Sequence, residues 1–232
     1  MGGRAVEDIP KQLMANYPNS EGRRVVLALI DTIEENKAYL SELDGKIGDG
    51  DHGINMAKGF ALTRGRLGDR EVSLSEGLGL IGKTLMTEIG GAMGPIYGTL
   101  FVQMSLKSKD KSQTDAALFG VMLNAAREAL YELGGAKVGD KTIMDTLIPA
   151  QESYQAAVDR GASLQEALEQ MADAAEKGKE STVNLVAKIG RSSRLGERSR
   201  GVLDAGAASC ALILQTFAKV LSKYSAEGAT SR

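Results

Sequence analysis

The sequence is poor in residues on which several large classes of protein depend. Among 232 residues it has one cysteine, one histidine, four prolines, no tryptophan and 4% aromatic residues. A single cysteine excludes an internal disulfide and a cysteine-rich zinc site, and a single histidine excludes mechanisms that need two imidazoles. The scarcity of aromatic residues, together with abundant alanine, leucine and glutamate, disfavours an all-β fold.

Strong charge of one sign and long apolar runs are also missing. The formal net charge is −2, which leaves no electrostatic footprint for a nucleic acid, and few aromatic rings are present for stacking on bases. The chain has no apolar run of about 18 residues, and its start, MGGRAVEDIPK, lacks the apolar region of a signal peptide. We therefore expect a soluble, cytoplasmic protein with neither a nucleic acid nor a membrane as its partner.

Apolar side chains recur instead with the helical period, and no segment alternates as a strand does. The pattern predicts one all-α domain over residues 1–232, with short connections that favour antiparallel neighbours and loosely ordered ends at 1–20 and 225–232. About eight helices are expected, the last of them buried, over residues 22–43, 53–66, 74–90, 95–107, 115–133, 142–159, 163–189 and 206–223.

Three carboxylates fall within eight positions between two of these helices. Asp44, Asp49 and Asp51 lie in the segment LDGKIGDGDHGIN, where glycines let the carboxylates converge. Ligand sets made only of oxygen suit hard cations such as Mg²⁺ or Ca²⁺. An EF-hand is excluded, because position 12 counted from Asp49 is Phe60 rather than glutamate. A Mg²⁺-nucleotide site is the favoured interpretation, and the alternative is that Asp51 or Asn55 caps the next helix.

Two further segments are suited to bind phosphate. GGAMGP, residues 90–95, leads into a helix with Pro95 expected at its first position, so its backbone N–H groups and the helix dipole favour an anion. The arginine segment, residues 188–206, carries four arginines whose guanidinium groups suit phosphate. A tight turn between helices and a solvated or partner-docking loop are the respective alternatives.

Charge links the three segments. Three aspartates beside ADP or ATP would bring about six or seven negative charges together, which requires metal ions and arginines to neutralise them. Such a site supports phosphoryl transfer by positioning and charge neutralisation, without a protein nucleophile.

Four segments occur in a fixed order along the chain: LDGKIGDGDHGINMAKGF, GGAMGP, GDKTIMD and LGERSRGVLDAGAAS. In these segments, and over about residues 25–220, the sequence resembles the nucleotide-binding L subunits of dihydroxyacetone kinases. The resemblance implies a closed barrel of eight antiparallel helices with the nucleotide at one end. It also implies two Mg²⁺ ions held by Asp44, Asp49 and Asp51, with ADP or ATP as the nucleotide.

The resemblance further assigns residues by motif position. Arg191 is implied in catalysis with the three aspartates, and the nucleotide site is implied to comprise His52, Gly53, Ile54, Asn55, Ala92, Met93, Gly134, Ile143, Arg191, Asp204, Ala205 and Gly206. Of these, Ala92 and Met93 would meet the phosphates, and Gly134 and Ile143 would flank the base. Ala205 departs from the family pattern, since some members have proline there.

The resemblance finally implies partners. A K-type subunit would hold a small ketose covalently through a histidine, and a phosphotransferase-system M subunit would rephosphorylate bound ADP if ATP is not the exchanging donor. His52, the sole histidine, lies inside the metal motif, so this chain is expected not to capture the ketose. Three alternatives stay open: a kinase subunit for another ketose such as erythrulose, a non-catalytic nucleotide sensor, and a structural Ca²⁺-binding protein.

Overall fold

A computed structural model describes residues 16–230, with side chains described through Lys223. Within this range the chain forms nine α-helices: α1 Gly22–Glu35, α2 Lys37–Ile47, α3 His52–Leu67, α4 Leu74–Glu88, α5 Met93–Ser108, α6 Ala116–Gly134, α7 Met144–Asp159, α8 Leu164–Ser181 and α9 Ala205–Thr230. The prediction of an all-α fold is confirmed. Short 3₁₀ turns at Asn19–Glu21, Thr182–Asn184 and Arg191–Ser199 complete the helical structure.

The helices form a closed ring of eight rods. The first rod is α1 followed by α2, which the sequence predicted as a single helix over 22–43. The break falls at Asn36, whose side-chain amide donates to the Thr32 carbonyl at 2.8 Å instead of pointing to solvent. Each rod packs against the next, and α9 returns to α1, which closes the ring. Most neighbouring rods are joined by short loops and run antiparallel, and the connection from α8 to α9, residues 182–204, is much longer.

Apolar side chains of all rods fill the interior of the ring as one continuous core. Phe119 packs edge-on against Phe217 of α9 at a centroid distance of 5.6 Å, and Phe60 packs similarly on Phe101 at 6.0 Å. The stretch Ala205–Lys223 is apolar enough to span a membrane, with a mean hydropathy of 1.4, but 72% of it is buried inside the bundle. It is therefore a core helix, as its apolar sequence predicted.

Three helices that start at one end of the ring, α4, α6 and α8, are capped by side chains. Ser73 and Ser163 begin α4 and α8 with complete capping boxes, in which Glu76 and Glu166 return hydrogen bonds to the cap backbone. Asp115 accepts a hydrogen bond of 2.7 Å from the Leu118 amide at the start of α6. We call this the capped end of the bundle.

Four details differ from the sequence prediction. Tyr17–Pro18 pairs with Gln113–Thr114 as a two-residue antiparallel ladder, and Tyr17 is fully buried, so residues 16–20 are anchored rather than loose. Pro95 is the third residue of α5 rather than the first, because the helix begins at Met93. α8 ends at Ser181 rather than 189, and α9 continues to Thr230 through the tail predicted to be loose. Residues 1–15 and 231–232 lie outside the described range.

Candidate functional site

The three predicted aspartates converge at the end of the ring opposite the capped end. Asp44 lies in the last turn of α2, and Asp49 and Asp51 lie in the loop before α3. One carboxylate oxygen from each lies within 4.8 Å of the other two. Gly48 permits this arrangement, because a Cβ atom there would lie 2.4 Å from Asp44 Oδ1.

The chemistry of this donor set fits a hard divalent cation. Three carboxylates repel one another in the absence of positive charge, and Mg²⁺ prefers oxygen ligands of this kind. Arg191 supplies one cation: its guanidinium contacts the Asp49 carboxylate, and Nη1 lies 3.9 Å from Asp51 Oδ2. The alternative that Asp51 caps α3 is wrong, since Asp51 occupies the cap position but makes no side-chain hydrogen bond to the helix.

A cavity of about 430 Å³ opens beside the aspartates, and the first residues of several helices line it. α3, α5 and α7 begin here, and the residues at their cap positions, Asp51, Ala92 and Ile143, make no side-chain cap hydrogen bonds. The first N–H groups of a helix have no partner within it, and the helix dipole makes them favourable toward anions. At α7 the Met144 amide already donates to Thr142 Oγ1 at 3.1 Å, so the starts of α3 and α5 are the ones that offer donors to the cavity.

The glycine turn before α5 forms part of the cavity wall through Gly90 and Gly91. Gly91 has a φ of 68°, a left-handed conformation that glycine adopts without strain. Gly94 is required for packing, because a Cβ atom there would lie 2.1 Å from the Ile89 carbonyl oxygen. The segment thus exposes its backbone to the cavity directly before a tightly packed helix start, as expected of an anion-binding turn.

The arginine segment closes another side of the cavity. Its first half forms the 3₁₀ turn that carries Arg191, and its end leads into α9. Asp204 accepts a hydrogen bond of 2.8 Å from the Ala207 amide at the start of that helix. Burial raises the pKa of Asp204 to about 6, and its hydrogen bonds and the ammonium group of Lys141 oppose the shift. Ala205 and Gly206 also line the cavity.

A buried polar cluster supports the floor of the cavity. The Ser209 hydroxyl of α9 lies 2.8 Å from His52 Nε2 of α3 and 2.5 Å from the Tyr97 hydroxyl of α5. Burial lowers the pKa of His52 to about 4, while the charge of Asp44 opposes the shift. His52 is therefore a neutral imidazole at neutral pH, and it connects three helices that start at the site.

Most residues assigned by the resemblance lie together. The cavity is lined by Asp44, Asp49, Asp51, His52, Asn55, Ala92, Met93, Ile143, Arg191, Asp204, Ala205 and Gly206. Gly134 lies instead in an adjoining apolar pocket of about 250 Å³, which shares Ala92 and Ile143 with the main cavity.

Gly53 and Ile54 also do not line the cavity, and their assignment to the nucleotide site stays a prediction. A Cβ atom on Gly53 would lie 2.1 Å from the Lys37 carbonyl oxygen, so this glycine allows α3 to approach α2. Ile54 is 51% exposed on the outer side of α3. Both follow His52 in the first turn of α3, where Gly53 packs against α2 and the Ile54 side chain is exposed.

Sequence reasoning also missed several residues of the site. Tyr97 and Ser209 reach His52 from helices more than 40 residues away in the chain, and no local pattern marks them. Lys141 lies within the quoted segment GDKTIMD, yet nothing in the sequence distinguishes it from a surface lysine; it is 1% exposed and lines the cavity.

Comparison with known proteins agrees with this geometry. The DAK2 domain family matches residues 46–219, which contain Asp49, Asp51, the glycine turn and the arginine segment. The chain belongs to the DAK2 domain family. Among curated relatives, this DAK2 domain is 39% identical to the ADP-binding subunit DhaL of the PTS-dependent dihydroxyacetone kinase of Lactococcus lactis, over 83% of this chain and 92% of the relative.

Other relatives of this DAK2 domain differ in length. The ADP-binding subunit DhaL of the PEP-dependent dihydroxyacetone kinase of Escherichia coli is 34% identical over 81% of this chain and 90% of its own. The D-erythrulose kinase of Mycolicibacterium smegmatis is 33% identical, but this chain covers only 38% of it. A crystal structure of the dihydroxyacetone kinase of C. freundii with AMP-PNP and Mg²⁺ superposes with a TM-score of 0.63 at 23% identity over 94% of this chain and 37% of that one. It shares the fold.

Proposed function

We propose that this protein is the ADP-binding subunit of a dihydroxyacetone kinase, in which it transfers a phosphoryl group to a small ketose. The observation that carries the proposal is the meeting of three aspartates with the uncapped starts of α3 and α5 in one cavity. The names of the Lactococcus and Escherichia relatives, which this chain matches over nine-tenths of their length, supply the reaction.

Different residues of the site would bind different parts of the Mg²⁺-nucleotide ligand. Asp44, Asp49 and Asp51 would hold Mg²⁺, proposed as two ions, and the starts of α3 and α5 would receive the phosphates. The apolar pocket at Gly134 and Ile143 suits a nucleobase, because its wall is almost entirely apolar. When bound, Mg²⁺ would neutralise charge that develops on the phosphates during transfer.

Arg191 and the helix starts supply positive charge that the protein itself holds in place. Arg191 already lies against Asp49 and Asp51, so its guanidinium is within reach of a phosphate bound beside them. The buried His52 is neutral and hydrogen-bonded to Ser209, which keeps the start of α3 fixed without adding charge. The role of these groups is to position and to neutralise charge, since no side chain is placed as a nucleophile toward phosphate.

A second subunit would hold the ketose. Covalent capture by a histidine requires an accessible imidazole, and the only histidine of this sequence is buried beneath the metal-binding loop. We therefore include a K-type substrate subunit in the proposal, together with a cytoplasmic location. The pocket that selects the ketose would lie on that subunit. Erythrulose is therefore an alternative substrate, in keeping with the erythrulose kinases among the relatives.

For the donor, we propose that ADP stays bound and is rephosphorylated by an M-type protein of the phosphotransferase system. Support comes from the PTS- or PEP-dependent names of the four relatives that this chain covers almost completely. Exchange of free ATP is the alternative.

The test is reconstitution of the transfer. The protein, loaded with ADP and Mg²⁺, is mixed with a K-type subunit carrying dihydroxyacetone, and either a phosphorylated M-type protein or ATP is added. Formation of dihydroxyacetone phosphate from the M-type donor supports the proposal, and formation only from ATP makes ATP the donor. Asp51→Ala should stop transfer, whereas Asp69→Ala, at an exposed aspartate remote from the cavity, serves as the matched control.

Two results would contradict the kinase proposal. Binding of nucleotide and Mg²⁺ without transfer from either donor, even with erythrulose in place of dihydroxyacetone, would favour a nucleotide sensor. Binding of Ca²⁺ with an affinity that nucleotide does not change would favour a structural calcium site.

A further inference from the structure

Lys141 combines two unfavourable features at one position. Its side chain is 1% exposed, although a buried ammonium group loses its hydration. Its φ is 62°, a left-handed backbone conformation that strains any residue with a Cβ atom. Among the described residues outside glycine, only Asp110 shares a positive φ. A strained and buried residue of this kind persists only when the contacts around it stabilise it.

The ammonium group of Lys141 joins the two ends of the connection between α8 and α9, residues 182–204, which contains most of the arginine segment. It donates to the carbonyl oxygen of Thr182, just after α8, and to that of Val202, just before α9, the latter at 2.5 Å. The same two stretches also bond directly, since the Gly201 amide donates to the Val183 carbonyl at 2.7 Å. Lys141 approaches them from a third element, the turn between α6 and α7.

Neighbouring contacts reinforce this junction. The Lys188 amide, where the arginine segment begins, donates to the Asp140 carbonyl at 3.1 Å, so the same turn supports both ends of the segment. Burial lowers the pKa of Lys141, while the carboxylates of Asp204 and Asp145 oppose the shift and favour the charged ammonium form. Between the supported ends, Arg191 reaches Asp49 and Asp51 across the cavity.

We propose that Lys141 is a positioning residue, which fixes the base of the arginine segment so that Arg191 is held at the aspartate cluster and at a bound phosphate. Lys141 acts through Arg191 rather than on the reacting atoms. The inference rests on the proposed function for the identity of the ligand, but the position of the segment is measurable without any transfer reaction.

The test uses the full chain and two substitutions of Lys141. Lys141→Met keeps the length of the side chain and removes the charge, and Lys141→Gly also removes the strain at the positive φ. Arg198→Met is the matched control, because this arginine is an exposed cation of the same segment. We measure hydrogen exchange of backbone amides and the affinity for ADP in the presence of Mg²⁺.

In both Lys141 variants we expect amide exchange over residues 188–201 to accelerate about tenfold or more, with α4 unchanged. The affinity for ADP with Mg²⁺ should fall about tenfold, and Arg198→Met should change it less than about twofold. The decisive result is a double-mutant cycle. In an Arg191→Ala background, Lys141→Met should cause little further loss of affinity, because the group that it positions is already absent.

An equal loss of affinity with and without Arg191 would overturn the proposal, as would unchanged exchange over 188–201. If Lys141→Met fails to fold, Lys141→Gly decides, since glycine suits the backbone at this position. A protein that shows the exchange and affinity effects but transfers no phosphoryl group would contradict the proposed function and still support the role of Lys141.

Discussion

Helices begin at both ends of the ring, and the two ends differ in what binds the first backbone N–H groups. At the capped end, side chains of Ser73, Asp115 and Ser163 accept hydrogen bonds from α4, α6 and α8. At the site end, the cap positions of α3 and α5 make no such bonds, although Thr142 and Asp204 accept hydrogen bonds from the first turns of α7 and α9. The helices are similar in length and packing, so the difference lies in their first residues.

This difference separates stability from binding. A side-chain cap satisfies donors within the protein and contributes to folding, typically about 1 kcal/mol per cap. An uncapped start leaves those donors for a ligand, and the antiparallel ring gathers several of them at one end. Changes at the capped end should therefore affect stability, and changes at the site end should affect ligand binding.

The largest effect is expected for Asp51→Ala or Asp49→Ala. Loss of either carboxylate should reduce the affinity for ADP with Mg²⁺ by about 100-fold or more, because a charged metal ligand is removed. Without metal, the thermal stability should stay equal or rise, since repulsion among the carboxylates decreases. Calorimetric titration and thermal unfolding measure the two quantities. A loss of helical content would assign the aspartates to folding instead.

A smaller effect on binding is expected for Arg191→Ala. The guanidinium group makes charge-assisted bonds worth about 1.5–3 kcal/mol, so the affinity for ADP with Mg²⁺ should fall about 10- to 100-fold. Arg198→Ala, at an exposed arginine of the same segment, is the control. Equal losses in the two variants would mean that the segment acts by general positive charge rather than through Arg191.

The dependence of stability on pH involves two groups of the site with opposite signs. The pKa of His52 is lowered from 6.5 to about 4, so its contribution to stability is present above pH 6.5 and is lost as the pH falls toward 4. The pKa of Asp204 is raised from 3.8 to about 6, so folding weakens as the pH rises from 3.8 to 6. In the metal-free protein the two effects oppose each other between these values.

Asp204→Asn separates the two effects. From pH 7 to pH 5 we expect the free energy of unfolding to fall by less than about 1 kcal/mol from these groups in the parent protein, and by about 2 kcal/mol in the variant. Urea unfolding in the presence of EDTA measures the difference. Equal pH dependence in both proteins would remove Asp204 as a titrating group in this range.

The smallest effect is expected at the capped end. Ser163→Ala removes the capping box of α8 and should lower the free energy of unfolding by about 1 kcal/mol. The affinity for ADP with Mg²⁺ should not change, since the cap lies at the opposite end of the ring from the cavity. Denaturant unfolding and calorimetry provide both readouts. A change in affinity would show that the two ends are coupled.

Local patterns predicted much of this molecule. Helical periodicity located the rods, and the predicted helix start at residue 163 coincides with the cap residue of α8, Ser163. The aspartates were predictable because they lie within eight positions in a loop rich in glycine. The break at Asn36 was not, since the apolar pattern continues across it and a single side-chain hydrogen bond decides the local geometry.

The rest of the site depends on contacts between distant segments. Ser209 meets His52 from 157 residues away, and Lys141 reaches Thr182 and Val202 from a separate turn. A single sequence carries no record of such pairings when the residues are ordinary serine and lysine. Gly53 and Ile54 show the converse: they belong to a specific motif, yet neither lines the cavity.

The central claim is that nucleotide and metal occupy the site end together, and native mass spectrometry of the purified protein tests it most directly. Spectra are recorded before and after exhaustive dialysis, with and without EDTA. We predict a retained mass increment of ADP with Mg²⁺ that survives dialysis and is lost with EDTA, while both Asp51→Ala and Asp49→Ala lack it. Absence of any nucleotide adduct, even after ADP and Mg²⁺ are added, would contradict the account.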